Sequence, residues 1–283
     1  MKLRNSITVG LLALAGLTAS ANAQATITAS LSDLILGFRA TGGTGSGFNL
    51  EVNLGSVSSF VTQTPGTTVV LSQLNVADLT ATYGAGWNGR TDLLWSVVGA
   101  VGRGGNTGPN GQVASTLFGT SSTATQFAST AWTTKVSSLQ NNGSVKIENL
   151  YTGAAGSLNG QTSTINSNYS FVNSTSTVGS WSSQEVPGTT GFAFFNPLSQ
   201  LEGNTNISGS VYSDLYQLQP STGAAVLLGS FALSSSGVLS FSTAASAIPE
   251  PSTYAAIFGA AAIGVALLRR RRMATAATAT AKA

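Results

Sequence analysis

Residues Phe48–Leu54 read FNLEVNL, with Phe48, Leu50, Val52 and Leu54 on one side and Asn49, Glu51 and Asn53 on the other. That period of two is the signature of a half-buried strand and is incompatible with a helical apolar stripe. Comparable runs recur at Asp33–Ala40 (DLILGFRA), Leu93–Val101 (LLWSVVGAV) and Val211–Leu218 (VYSDLYQL). Shorter strands are expected at Val145–Leu150 and Gly191–Phe195. Ala225–Leu233 and Val238–Ser242 read as a hairpin turning through Ser234–Gly237. Glycine and asparagine punctuate the gaps at Gly42-Gly43, Gly104-Gly105 and Asn141-Asn142-Gly143. The expected fold is mostly β, a two-sheet β-sandwich with a few short helices. One helix is expected over Val76–Tyr83, capped by Asn75 and stopped by Gly84, and a weaker one over Ala131–Leu139. Thr152–Ser183, rich in Ser, Thr and Asn, reads as loop.

The two ends of the chain are of a different kind. Lys2 and Arg4 precede an apolar run at Ile7–Leu17, followed by Ala21-Asn22-Ala23. This is a signal helix over residues 1–23 with cleavage by signal peptidase after Ala23, guided by Ala21 and Ala23. At the other end Pro249-Glu250-Pro251 precedes an uncharged stretch, Tyr254–Leu268, closed by Arg269, Arg270, Arg271 and Arg272. Four arginines resist translocation and act as a membrane stop on the cytoplasmic side. The resulting organisation is a signal peptide (1–23), a β-rich ectodomain (24–243) and a linker carrying Pro-Glu-Pro (244–251). A transmembrane helix with its arginine cluster (252–272) and a cytoplasmic Ala/Thr-rich tail (273–283) follow.

Charge and missing residue types remove several functions. The chain has no histidine and no cysteine. That excludes thiolate metal sites, disulfides, a cysteine nucleophile and the commonest general base. Between residues 24 and 247 stand Arg39, Arg90, Arg103, Lys135 and Lys146, against Asp33, Glu51, Asp78, Asp92, Glu148, Glu185, Glu202 and Asp214. The exported part is therefore about −3, and the pI near 9.4 belongs to the targeting segments. No basic cluster for nucleic acid exists there.

The remaining chemical candidates are few. Gly84-Ala85-Gly86-Trp87-Asn88-Gly89 matches G-x-G-x-x-G, but a helix precedes it and a strand follows, the reverse of a dinucleotide site. Asp78 and Asp92 flank that loop, with Trp87 and Arg90 between them. They are the best carboxylate pair on which a glycan-active enzyme could be built. Trp87, between Gly86 and Asn88, is the tryptophan expected at the surface and the candidate glycan contact. Scattered acids make a poor calcium pool. The expectation is no catalytic residue, no cofactor and no metal.

Ile248-Pro249-Glu250-Pro251-Ser252-Thr253-Tyr254, the short hydrophobic helix and the terminal arginines resemble the PEP-CTERM sorting signal. The resemblance implies a bacterial exported protein recognised by an exosortase-type membrane enzyme, often in organisms that make exopolysaccharide. Asp33–Arg39, Leu79–Trp87 and Gly237–Phe241 also resemble pieces of exported proteins bearing that tail. The expected role is a non-catalytic cell-surface or matrix protein associated with exopolysaccharide or biofilm. A carbohydrate-binding module is the first alternative and a carboxylate-dependent glycan-active enzyme the second.

Overall fold

A computed structural model describes residues 26–133, 137–152, 161–162, 169–185, 195, 197–206, 208–220, 224–245, 258–265 and 267–269. In chain order the elements begin with β1 (Thr26–Ile27), β2 (Asp33–Ala40), β3 (Phe48–Ser56), α1 (Ser58–Val61) and β4 (Thr68–Leu71). Then come α2 (Val76–Tyr83), a 3-10 turn at Trp87–Gly89, β5 (Leu93–Ala100), β6 (Leu117–Thr123) and α3 (Ser137–Thr152). The remainder is β7 (Gln161–Thr162), β8 (Ser170–Ser174), α4 (Trp181–Glu185), α5 (Leu198–Leu201), β9 (Gly203–Asn204), β10 (Ser210–Leu218), β11 (Val226–Ser234) and β12 (Leu239–Ser242).

Among the described residues the strands do not form the two facing sheets of a sandwich. Among the described residues, ten form one antiparallel sheet in the order β4-β12-β11-β10-β6-β5-β2-β3-β8, with β9 on β5; β1 and β7 pair separately. The sheet curls into a half-barrel. Its inner face gathers Leu36, Phe38, Leu50 and Val52 from one end and Phe231, Leu233, Leu239 and Phe241 from the other into one cluster. Phe60 of α1 fills the middle, its ring centroid 5.1 Å from that of Phe241 and 5.7 Å from that of Phe231. A sheet that closes on its own face does the work assigned to a second sheet. Bulges at Leu34/Ile35 and at Leu215/Tyr216 add local bend and twist.

The outer face is covered by helices and loops. Ile35, Val98, Ala100, Leu117, Tyr216 and Leu218 pack against Ile147, Leu150 and Tyr151 of α3, Trp181 of α4 and Leu201 of α5. Two glycines let aromatic rings lie directly on the sheet. A Cβ at Gly37 would overlap the Trp181 ring, and one at Gly119 would overlap Phe195. Phe195, from the expected Gly191–Phe195 strand, is the one residue of that stretch described here, and its ring meets Trp132 edge-on at 5.1 Å.

Several elements fall where the sequence places them. α2 has the Asn75 cap, with Asn75 Oδ1 accepting from Ala77 N at 2.9 Å, and Gly84 closes it at φ +88°. Val145–Leu150 is not a strand. Ile147, Leu150 and Tyr151 are spaced i, i+3, i+4, and that spacing serves the helix α3. Thr133 forms a β-bridge with Ala224, so the first residues of the helix expected over Ala131–Leu139 are not helical, and the described helix runs over Ser137–Thr152. β8 and α4 rise out of the stretch read as loop.

The expected signal helix, with Ala21 and Ala23, lies outside the described residues, as do Pro249, Glu250, Pro251 and Arg270–Arg272. Phe258–Val265 and Leu267–Arg269 are helical, and Phe258, Ile263, Val265, Leu267 and Leu268 are all more than half exposed. Among the described residues no helix is long and apolar enough to cross a membrane.

Candidate functional site

The Asp78–Trp87–Arg90–Asp92 constellation is a structural joint. Arg90 spends all its donors locally. Nε and Nη2 hold the two Asp92 oxygens at 3.0 and 2.7 Å. Nη2 also reaches Gly42 O at 2.6 Å, while Nη1 reaches Thr44 O at 2.6 Å and Tyr83 O at 3.2 Å. A planar fork of five N–H groups suits such a junction of three chain segments. The β2–β3 turn, the end of α2 and the start of β5 are thereby tied together. The guanidinium holds the Asp92 carboxyl below its ordinary range.

Asp78 has quite different surroundings. It stands in the first turn of α2, buried, beside Ser170 of β8, and burial pushes its carboxyl up. One acid is sealed in and the other is neutralised by a bidentate arginine. Asp78 is buried and both Asp92 oxygens are taken by Arg90, so the two carboxyls stand in unlike surroundings and each is engaged by the fold.

Trp87 is not the exposed aromatic expected from its neighbours. It is 2% exposed and belongs to the inner core. The β11–β12 turn covers it: Gly237, at φ +82°, approaches its ring, and Asn88 Nδ2 donates to Ser235 O at 2.8 Å. Trp95, Trp132 and Trp181 are buried too.

Several other acids among the described residues are likewise committed to the fold. Glu202 takes a bidentate contact from Arg39 at 2.7 and 2.5 Å. Glu148 meets Arg103, and Asp214 accepts from Phe127 N and Ser129 N, each at 2.9 Å. Glu51, on the side of β3 that looks solvent-facing in sequence, is fully buried under α4 and accepts from Trp181 N at 2.6 Å. Burial pushes its carboxyl up to about 8, against the opposing effect of the Trp181 N–H and the Asn173 side chain. Its only sequence signal was an acid in a strand both of whose faces turn out to be covered. Among the described residues, no group of three acids is placed to hold a metal ion.

The domain finishes before the tail begins. β12 pairs β4 as far as Ser242↔Thr68, then Thr243 N donates to Thr67 O and Gly66 N to Ala244 O. Ala245 lies beside Gly66 of the Thr64–Thr67 turn, and the described helical residues 258–265 and 267–269 carry their large apolar side chains exposed. Residues 247–272 match the PEP-CTERM protein-sorting motif family. The chain carries a PEP-CTERM sorting signal at its C-terminus. No curated protein and no solved structure matches the chain. The PEP-CTERM signal implies an exported protein, anchored at a membrane while an exosortase-type enzyme processes it.

Proposed function

We propose that this is a bacterial exported surface or matrix protein whose ectodomain is non-catalytic and associates with exopolysaccharide, delivered there by its PEP-CTERM tail. The observation that carries the reading is the sorting signal at residues 247–272, placed after a fold whose last strand is already paired. Cutting at Pro249-Glu250-Pro251 removes no strand of the sheet, so the ectodomain survives release intact. Signal peptidase acts first, after Ala23. The arginines Arg269–Arg272 hold the end of the chain on the cytoplasmic side until the exosortase-type enzyme acts. The acids held by Arg39, Arg90 and Arg103 support a scaffold role, since their charges are satisfied by the fold.

The test is mass-spectrometric mapping of both termini in membrane and released fractions, with polysaccharide co-fractionation scored alongside. A start at Gln24 and an end near Pro249–Pro251 in the released, polysaccharide-bearing fraction is the expected result. An intact Ala283 found only in membranes would make the chain a plain single-pass protein and remove the reading.

A further inference from the structure

Three neighbouring surface depressions share lining residues. The first, of about 470 Å³, lies between the end of β4, the Asn75 cap of α2 and the β11–β12 turn. The second, of about 290 Å³, lies over Thr28, Asn53 and Gln73. The third, of about 450 Å³, reaches Gly102, Asn106 and Thr107 after β5. Tyr169 lines the first and second, and Ser30 and Asp33 line the second and third. Linked through these shared residues, the depressions line up as an elongated cleft along the ends of β3, β2 and β5. Each part lies near or within the range of roughly 300–1,000 Å³ usual for ligand sites.

Its chemistry changes along its length. At one end Val70, Val76 and Val238 are 70, 42 and 46% exposed beside Tyr169 at 47%. These side chains form an apolar wall with an aromatic at its edge. Further along, amides and hydroxyls surround a single carboxylate, Asp33. That part is held in place in advance: Asp33 Oδ2 accepts from Ser30 N at 2.8 Å and from Asn53 Nδ2 at 3.0 Å. Gln73 Nε2 donates to Leu54 O at 3.4 Å, and its buried Oε1 has no hydrogen-bond partner among the described residues. No lysine or arginine is among the described lining residues.

We infer that this cleft binds an extended, uncharged polysaccharide chain. A sugar ring presents an apolar C–H face and a rim of hydroxyls. The tyrosine and valines suit the face, and the amides, hydroxyls and Asp33 suit the rim. An anionic polymer would meet Asp33 with no cation to offset it, on an ectodomain already net negative. The inference rests on the exopolysaccharide reading above and names the surface that serves it.

The test is affinity electrophoresis of the full chain in mild detergent, through gels containing dextran, a mixed-linkage β-glucan or a galactomannan, with alginate as the polyanion. At least one neutral polymer retards the wild type and alginate does not. Tyr169→Ala and Val238→Lys, two surface changes at the apolar end, each weaken retardation at least tenfold while the melting temperature stays within about 3 °C of wild type. Retardation unchanged in both variants, retardation by alginate alone, or none by any neutral polymer overturns the inference. Native variants that still co-fractionate with matrix polysaccharide would leave the matrix reading standing and remove only the cleft. Wild-type protein absent from the matrix yet retarded by a neutral polymer would do the reverse.

Discussion

Glu51→Gln is the perturbation with the most quantitative consequence. The Glu51 carboxyl is raised from 4.5 in the unfolded chain to about 8 under α4. Below about pH 4.5 it is protonated in both states and contributes no slope. Between there and pH 8 the unfolded chain ionises while the folded one stays neutral, so stability falls as pH rises. At about 1.36 kcal/mol per pH unit, the loss from this group approaches 5 kcal/mol by pH 8 and then levels off. Asp78, also raised by burial, adds to the decline with the same sign. The chain has no histidine or cysteine to add a slope of its own in this window. Glutamine keeps the volume and an acceptor for Trp181 N–H but cannot ionise. The assay is urea unfolding at pH 5, 6.5 and 8, followed by tryptophan fluorescence, since the Trp181 N–H is itself the donor to Glu51. The wild type loses several kcal/mol across the series, while Glu51→Gln keeps only the shallower slope that Asp78 leaves. A wild-type stability flat from pH 5 to 8, or an equal slope in the variant, would refute the argument that burial under α4 holds this carboxyl neutral.

Two further substitutions probe the joints of the fold. Gly37→Ala drives a methyl into the Trp181 ring; overpacking of this kind costs about 1–3 kcal/mol, and a red shift of tryptophan emission in the folded state checks it. Arg90→Lys cannot span Asp92, Gly42, Thr44 and Tyr83 at once, so melting falls by about 2–6 °C. Hydrogen exchange should then show faster amides in the β2–β3 turn, with the rest of the sheet unchanged.

Local features of this protein were readable because their causes are local. Asn75 and Gly84 bound α2 through contacts within four residues, and the β11–β12 hairpin needs only its alternation and Gly237. The PEP-CTERM tail is likewise a linear message, read as sequence by whatever processes it. Trp87 differs from its expected exposure for the opposite reason. Its neighbours Gly86 and Asn88 suggested a surface loop, yet the turn that buries it comes some 150 residues later. Val145–Leu150 shows the limit of short windows: six residues fit either period, and Tyr151 is what completes the helical stripe.

The sequence by itself determined a β-rich exported chain, its dearth of charge and its C-terminal address, since composition, alternation and motif order need no partner in space. Tertiary structure alone decided that ten strands form one curled sheet rather than two facing ones, because closure depends on which strand ends meet across the inner core. It also decided that Glu51 and Asn49 lie beneath α4 instead of in water, and that Tyr169 lines one depression with Val238 and a second with Asp33, both distant from it along the chain. Strand alternation records that a strand has two faces; only the packing of elements far apart in sequence determines what covers each of them.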